Sequence, residues 1–458
     1  MANHEHLFAM VERYRQMILE TERFLWAHPE TGYREWTASR YLTEQYEALG
    51  YVLIQAGNIP GFYTDLDTGR PGPKVLVMGE LDSLICATHP DADLKTGAVH
   101  ACGHHAQSAA LLGLAAALKE PGSLDGLCGC IRLCAVPAEE LIETGYRETL
   151  REQGIIKYYG GKVEFLSRGY FDGVDMAFMF HTGGPKNTFW SGRGSNGCVV
   201  KNITYQGVAA HAGGSPNKGV NALYAANLGM AAINALRETF VEEDHTRVHP
   251  IITSGGSAVN AIPNVVKLES YVRGASLEAI DRENRKVNRA LAASAAAMGA
   301  NVLLSDRPGY TPLLNDTTLL EIARQAMETV VPAEQVTCSN DWDTGCTDMG
   351  DISAVMPAIH PSVGGAAGTG HGADYHIEDP VSACINAAKC QLVLLALLLE
   401  NDAAEAKRVL ANAKPRYTTV KAYFDMMDGM TQDKLAVTYG EDGRITLDFA
   451  APLPVSGP

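Results

Sequence analysis

The chain reads as an α/β protein, a largely parallel-sheet domain interrupted by an inserted ferredoxin-like α+β domain. Three observations predict this. Over the first 180 residues, short apolar runs alternate with segments of helical periodicity, the pattern of strands joined by crossover helices. From residue 198 the order changes to β-α-β-β-α-β, the split βαβ unit. Titratable side chains also collect just after the apolar runs, where open parallel sheets bind ligands.

In chain order, periodicity predicts helices over 7–27 and 35–49, a buried strand over 74–79, and a helix over 105–119. Strands follow at 130–136 and 176–181. The inserted unit comprises a strand at 198–206, a helix at 219–240, strands at 249–254 and 265–273, a helix at 277–298 and a strand at 301–305. After Arg307-Pro308-Gly309-Tyr310 the chain returns to the first domain through a helix near 317–330 and a closing helix from 379 to 400. Tyr439-Gly440-Glu441-Asp442-Gly443 is a hairpin turn, and the rest of the tail carries no chemical signal. The expected domain ranges are 1–196 and 307–458 for the two parts of the first domain, the second with a C-terminal extension, and 197–306 for the insertion.

At 458 residues and 46% hydrophobic, the chain can bury a large core. A net charge of −16 argues against nucleic acid and against an anionic membrane surface as partners. Residues 1–6 lack a basic segment followed by an apolar one, and the apolar stretches at Leu111–Leu118 and Leu392–Leu399 are too short to span a bilayer, so a cytoplasmic location is expected. Ten cysteines in so long a chain are no disulfide scaffold and read as reduced. Gly192-Arg-Gly194-Ser-Asn-Gly197 satisfies GxGxxG but leads into a β-branched strand, so no helix N-terminus is available for a pyrophosphate.

Two motifs carry chemistry. Val99-His100-Ala101-Cys102-Gly103-His104-His105 offers a thiolate and an imidazole at the mouth of an Ala/Leu-rich helix. Pro137-Ala138-Glu139-Glu140 ends the strand at 130–136 with two adjacent carboxylates, one able to bind metal while the other handles protons. Asp82 and His181 lie at the ends of two further strands. Together they suggest metal-assisted hydrolysis.

With these and further segments in view, the chain resembles the aminoacylase and carboxypeptidase-G superfamily of co-catalytic metallopeptidases. The resemblance is to its amidohydrolase branch, which includes indoleacetyl-amino-acid and aminobenzoyl-glutamate hydrolases. It covers residues 20–400 through His28-Pro-Glu-Thr-Gly-Tyr, Gly79-Glu-Leu-Asp82-Ser-Leu, His100-Ala-Cys-Gly-His104, Pro137-Ala-Glu-Glu140, Gly207-Val-Ala-Ala-His211-Ala, Asn260-Ala-Ile-Pro263, Thr347-Asp-Met-Gly-Asp351 and Gly370-His371. The resemblance implies a catalytic domain with a lid and dimerisation domain inserted, and an amide substrate carrying an N-acyl, N-aminobenzoyl or short-peptide group. It implies two divalent cations, zinc or manganese, held by Cys102, His104, Glu140, His181 and His371, with Cys102 as the bridge. Glu139 would be the general base, Asp82 would orient a ligand imidazole, His211 would stabilise the oxyanion, often from the partner protomer, and Asn260 would lie near the substrate carboxylate. A homodimer is expected on separate grounds too, because a four-stranded inserted sheet exposes an edge.

Two departures stand out. His105 occupies the position where the family usually has Asp, and a segment beginning at Thr144 lengthens the path from Glu140 to His181 and could line the pocket. His360 and His376 flank the last ligand segment and are candidates for its surroundings. Two other readings of the residues remain: a non-catalytic protein that kept the fold, and a hydrolase using Cys102 as nucleophile with a histidine.

Overall fold

The computed structural model describes residues 4–449, so the outer limits of the expected domain ranges, 1–3 and 450–458, lie outside the described residues. Six strands form the first sheet in the order Ile54–Gln55, Phe62–Asp67, Cys130–Val136, Lys74–Glu80, Met176–Phe178, Ala358–Ile359. From Cys130–Val136 onward the strands run parallel, and the first two are antiparallel. Lys74–Glu80 is buried along nearly its whole length, as a strand covered on both faces must be, which is why it reads as a continuous apolar run. Every residue of the helix His104–Leu118 is buried. Gly113 on it admits the helix Arg15–Trp26, because a Cβ there would stand 2.5 Å from Ile18.

The second sheet has the order Arg247–Val248, Val265–Gly274, Gly194–Gln206, Asn301–Tyr310, Gln432–Leu435, with Ile251–Ser254 also paired to Val265–Gly274. Its inner side chains alternate: Val266, Leu268 and Val272 are buried. The helices Ala222–Leu236 and Leu277–Ala297 pack on it and on one another, each begun by a side-chain cap, Asn221 and Ser276. This is the expected β-α-β-β-α-β order.

Four elements differ from those expected. The first helix breaks at Arg13 and Tyr14 into Glu5–Glu12 and Arg15–Trp26. The strand expected to reach His181 stops at Phe178, and His181–Thr182 joins a separate sheet with Ser362–Val363, Phe189–Ser191 and Val336–Cys338. The tail does not stay with the first sheet, because Gln432–Leu435 pairs antiparallel with Asn301–Tyr310 and closes that edge of the second. Finally, Val381–Asn412 is long and apolar enough, by length and composition alone, to cross a membrane, although 78% of its most apolar window is buried inside the protein. The predicted hairpin is present, with Val437–Tyr439 paired to Ile445–Leu447 across the turn at Gly440–Gly443.

Candidate dinuclear metal centre

The site forms where parallel strands of the first sheet end. Asp82 follows Lys74–Glu80, Glu139 and Glu140 follow Cys130–Val136, and His360 follows Ala358–Ile359. Cys102 and His104 approach from the side, at the mouth of the helix His104–Leu118. Gly103 turns that corner with φ of 101°, and a Cβ there would meet the Tyr375 hydroxyl at 2.6 Å. His371, also left-handed at φ 63°, is brought in by its own N–H, which donates to the carbonyl of Ala101 at 2.8 Å.

All five expected ligands converge in two groups. Cys102, His104 and His181 form one, Cys102, Glu140 and His371 the other, with the ligand atoms of each within 4.8 Å of one another. Cys102 belongs to both. Its Sγ lies 3.4 Å from His181 Nε2, and His371 Nε2 lies 3.1 Å from Glu140 Oε1. The buried atoms His104 Nε2 and Glu140 Oε1 have polar neighbours at 3.2 and 3.1 Å, Glu80 Oε2 and His371 Nε2, but neither is met with the geometry of a hydrogen bond. Buried polar atoms are rarely left so, and a thiolate, three imidazoles and a carboxylate aimed into one space suit divalent cations of the zinc type.

The electrostatics agree. Burial pushes the Cys102 thiol up, but His104 and His181 outweigh it and bring its pKa down to about 6, towards the thiolate that binds metal. Burial likewise opposes ionisation of Glu140, yet His371 pulls its carboxyl down to about 2. Glu139 is the opposite case. Burial, reinforced by Glu80, Glu140 and Asp348, holds it well above the usual carboxylate range. Asp82 Oδ1 and its own carbonyl lie 3.2 and 3.0 Å from His104 Nδ1, which turns Nε2 toward the cluster, and Asp82 Oδ2 accepts the N–H of Glu140 at 2.8 Å.

His211 and Asn260 are brought to each other but not to this cluster. The Ala212 N–H donates to the carbonyl of Asn260 at 2.9 Å, both side chains are exposed, and neither makes a hydrogen bond to an expected ligand among the described residues. His211 Nδ1 accepts the N–H groups of Gly213 and Gly214, at 3.1 and 2.8 Å, which leaves Nε2 as the proton-bearing nitrogen of the neutral ring.

His105 is buried against Glu22, 3.3 Å away, with the rings of Trp26 and His100 about it, and burial lowers its pKa. His360 is half-buried beside His181 with its Nε2 shut away from solvent, and desolvation, then the neighbouring histidine, pushes its pKa down to about 3. His376 is exposed and bonds the carbonyl of Asp374.

Several residues escaped the sequence. Lys162 is fully buried between Glu80, at 2.5 Å, and Asp348, and the Oε2 of Glu80 lies 3.2 Å from His104 Nε2. Glu80, His104 and Glu139 form a third group able to hold a cation, with the Lys162 ammonium already neutralising Glu80. The guanidinium of Arg273, on the inserted sheet, lies over the Tyr271 ring but makes no hydrogen bond or ion pair among the described residues, and it senses Cys346, Cys198, Tyr271 and Glu140. In the sequence it is merely the end of a strand. Its only signal is a cation placed ten residues beyond Pro263.

Residues 76–397 match the model of peptidase family M20/M25/M40, well over half the chain. The chain belongs to that family. It is 28% identical over 353 residues to a mouse Xaa-Arg dipeptidase, covering 74% of each chain. It is 31% identical over 275 residues to one of the two subunit types of the p-aminobenzoyl-glutamate hydrolase of Escherichia coli strain K12, covering 57% of this chain and 58% of that one. Among solved structures, a Bacillus subtilis protein described as a dinuclear metal-binding peptidase of family M20 superposes with a TM-score of 0.62 at 19% identity, over 85% of this chain and 99% of that one. The resemblance read from the motifs is therefore met, and with it the enzyme class, a hydrolase of amide and peptide bonds.

Proposed function

We propose that this chain is a dinuclear amidohydrolase that releases an amino acid from an N-acyl, N-aminobenzoyl or short-peptide conjugate. One observation carries the reading: Cys102 belongs to two ligand groups at once, with a further carboxylate, Glu139, outside both. Cys102, His104 and His181 would hold one cation, and Cys102, Glu140 and His371 the other. Two such ions, zinc or manganese, would supply Lewis acidity and a nucleophilic water at neutral pH.

The chain's own groups do the rest. Glu139 takes the proton of the attacking water and hands it to the departing amine nitrogen, a task suited to a carboxyl whose burial raises its basicity. Asp82 fixes the tautomer and aim of His104. The Nε2–H of His211 donates to the tetrahedral oxygen. Asn260 and the unpaired Arg273 bind the free carboxylate of the amino-acid half.

We also propose that residues 197–306 act as a lid and as the surface of a twofold homodimer, in which His211 serves the neighbouring protomer. The Asn301–Tyr310 edge is already closed by Gln432–Leu435, whereas all four residues of Ile251–Ser254 on the other side are exposed, Ile251 at 51%.

A second reading, a Cys102 thiolate nucleophile paired with His181 at 3.4 Å, leaves Glu139, Glu140 and His371 idle. A panel of N-acyl amino acids and dipeptides, assayed after metal loading, separates the two. Activity abolished by chelator and restored by zinc or manganese supports the first. Activity that survives chelation but not thiol alkylation supports the second.

A further inference from the structure

The segment Ala138–Leu141 carries both glutamates yet belongs to no helix or strand. Its backbone groups are buried and must find partners outside regular structure. The N–H of Ala138, itself left-handed at φ 58°, donates to Glu35 Oε1 at 2.8 Å, and that of Glu140 donates to Asp82. On the acceptor side, Tyr310 Oη donates to the carbonyl of Glu139 and Tyr271 Oη to that of Leu141. Both tyrosines come from strands of the inserted sheet.

Arg147 completes the set. Its guanidinium donates to the carbonyls of Ala138 at 3.3 Å, of Tyr159 at 2.6 Å and of Glu140. It is 1% exposed and makes no ion pair among the described residues. An arginine buried without a carboxylate is costly, and its forked donors have been spent on main-chain oxygens instead. Two glycines make the closure possible. A Cβ at Gly160 would stand 2.7 Å from the Tyr310 ring, and one at Gly161 would stand 1.6 Å from the carbonyl oxygen of Pro137.

The helix Thr144–Glu152 that bears Arg147 is anchored from behind. Glu148 pairs with Arg307 at 2.8 Å, and Arg307 pairs with Asp433 of the tail strand at 2.9 Å. Asp428 of the tail accepts from Lys157 and Tyr158 at 2.9 and 2.7 Å. The segment that lengthens the path from Glu140 to His181, the inserted domain and the C-terminal extension therefore all meet behind Glu139 and Glu140.

We propose that Arg147 and Tyr310 are positioning residues for Glu139 and Glu140, fixing the carbonyls of that segment and tying the aim of both carboxylates to the seating of the inserted domain. The kinetic half of this inference rests on the amidohydrolase reading above; the spectroscopic half does not.

Tyr310→Phe keeps the ring and removes only the hydroxyl, while Arg147→Lys keeps the charge but cannot fork across three carbonyls. Each variant and the wild type are loaded with cobalt(II). The readouts are metal content, the visible absorption of the bound cobalt, the thermal midpoint, and kcat and KM on the best substrate of the panel. For Tyr310→Phe we expect full metal content, a shifted cobalt d–d band, kcat lower by about tenfold and KM within about twofold, the mark of misaim rather than lost binding. Arg147→Lys should lower kcat further, by about a hundredfold. A Tyr310→Phe protein with wild-type cobalt spectrum and kcat overturns the proposal, even where the Arg147 variant fails to fold. So does a raised KM at unchanged kcat. If the wild type hydrolyses nothing on the panel while Tyr310→Phe still shifts the cobalt band, the amidohydrolase reading fails and the positioning role stands.

Discussion

The carboxyl end of the first sheet and the His211–Asn260 pair of the inserted domain make an instructive contrast. At the sheet end, five candidate ligands drawn from distant parts of the chain fall into two groups, each with its ligand atoms within 4.8 Å of one another, and the groups share one thiol. His211 and Asn260 stand exposed on two loops bonded to each other, and among the described residues neither makes a hydrogen bond to those five residues. The candidate ligands of the first region all come from one chain. The second has its imidazole oriented, Nε2 outward, with nothing among the described residues of the same chain to receive it. A motif can therefore be intact in sequence while its side chains stand apart from the cluster it is expected to serve.

The largest effects should come from the sheet end. Glu139→Gln should keep fold and metal while kcat falls by at least about a hundredfold, and Glu140→Gln should instead weaken metal affinity, measured by titration against a competing chelator. Reversed phenotypes would exchange the two roles. For the exposed region, His211→Ala should cost about a hundredfold in kcat, the scale of a lost oxyanion donor. The contrast sharpens on mixing. Glu139→Gln and His211→Ala chains, each nearly inactive alone, should recover part of the activity once exchanged, because one site per heterodimer then has both groups. Absence of recovery after verified protomer exchange would mean that His211 acts within its own chain, and a monomer by light scattering would remove the dimer itself.

A smaller expected effect concerns stability. His360 is half-buried and held neutral, with its pKa pushed down to about 3 by desolvation against an ordinary value near 6.5. Between these values the unfolded chain binds the proton and the folded one refuses it, so stability rises with pH. The contribution is whole above about 6.5 and is lost as pH falls toward 3. Denaturant midpoints of the metal-free protein at pH 7 and pH 4.5 should fall further apart for the wild type than for His360→Asn. Equal slopes would show that His360 is not held neutral.

What the sequence reveals tracks how local the information is. Cys130–Val136 is legible to the residue, because a strand buried on one side of a turn signal has a run of apolar residues and clear ends. The inserted β-α-β-β-α-β order is legible for the same reason, and the ligands sit in short motifs at strand ends. Lys162, Glu80 and Asp348 are not, since a charged residue reads as solvated until three such groups are seen buried together. Nor is Gln432–Leu435, a four-residue polar strand whose pairing with Asn301–Tyr310 spans more than a hundred residues. Arg147 shows the limit most plainly. Its segment stands out in the sequence as an addition, but nothing there shows that a buried guanidinium holds the backbone of the glutamates.

Whether a pair of cations shares one thiolate is decided by counting divalent ions per chain, by elemental analysis after zinc loading and desalting, in the wild type and in Cys102→Ser. About two are expected in the wild type and at most about one in the variant, since five ligands with a shared bridge exceed what one tetrahedral ion needs. A single ion in the wild type, or two retained without Cys102, would contradict it.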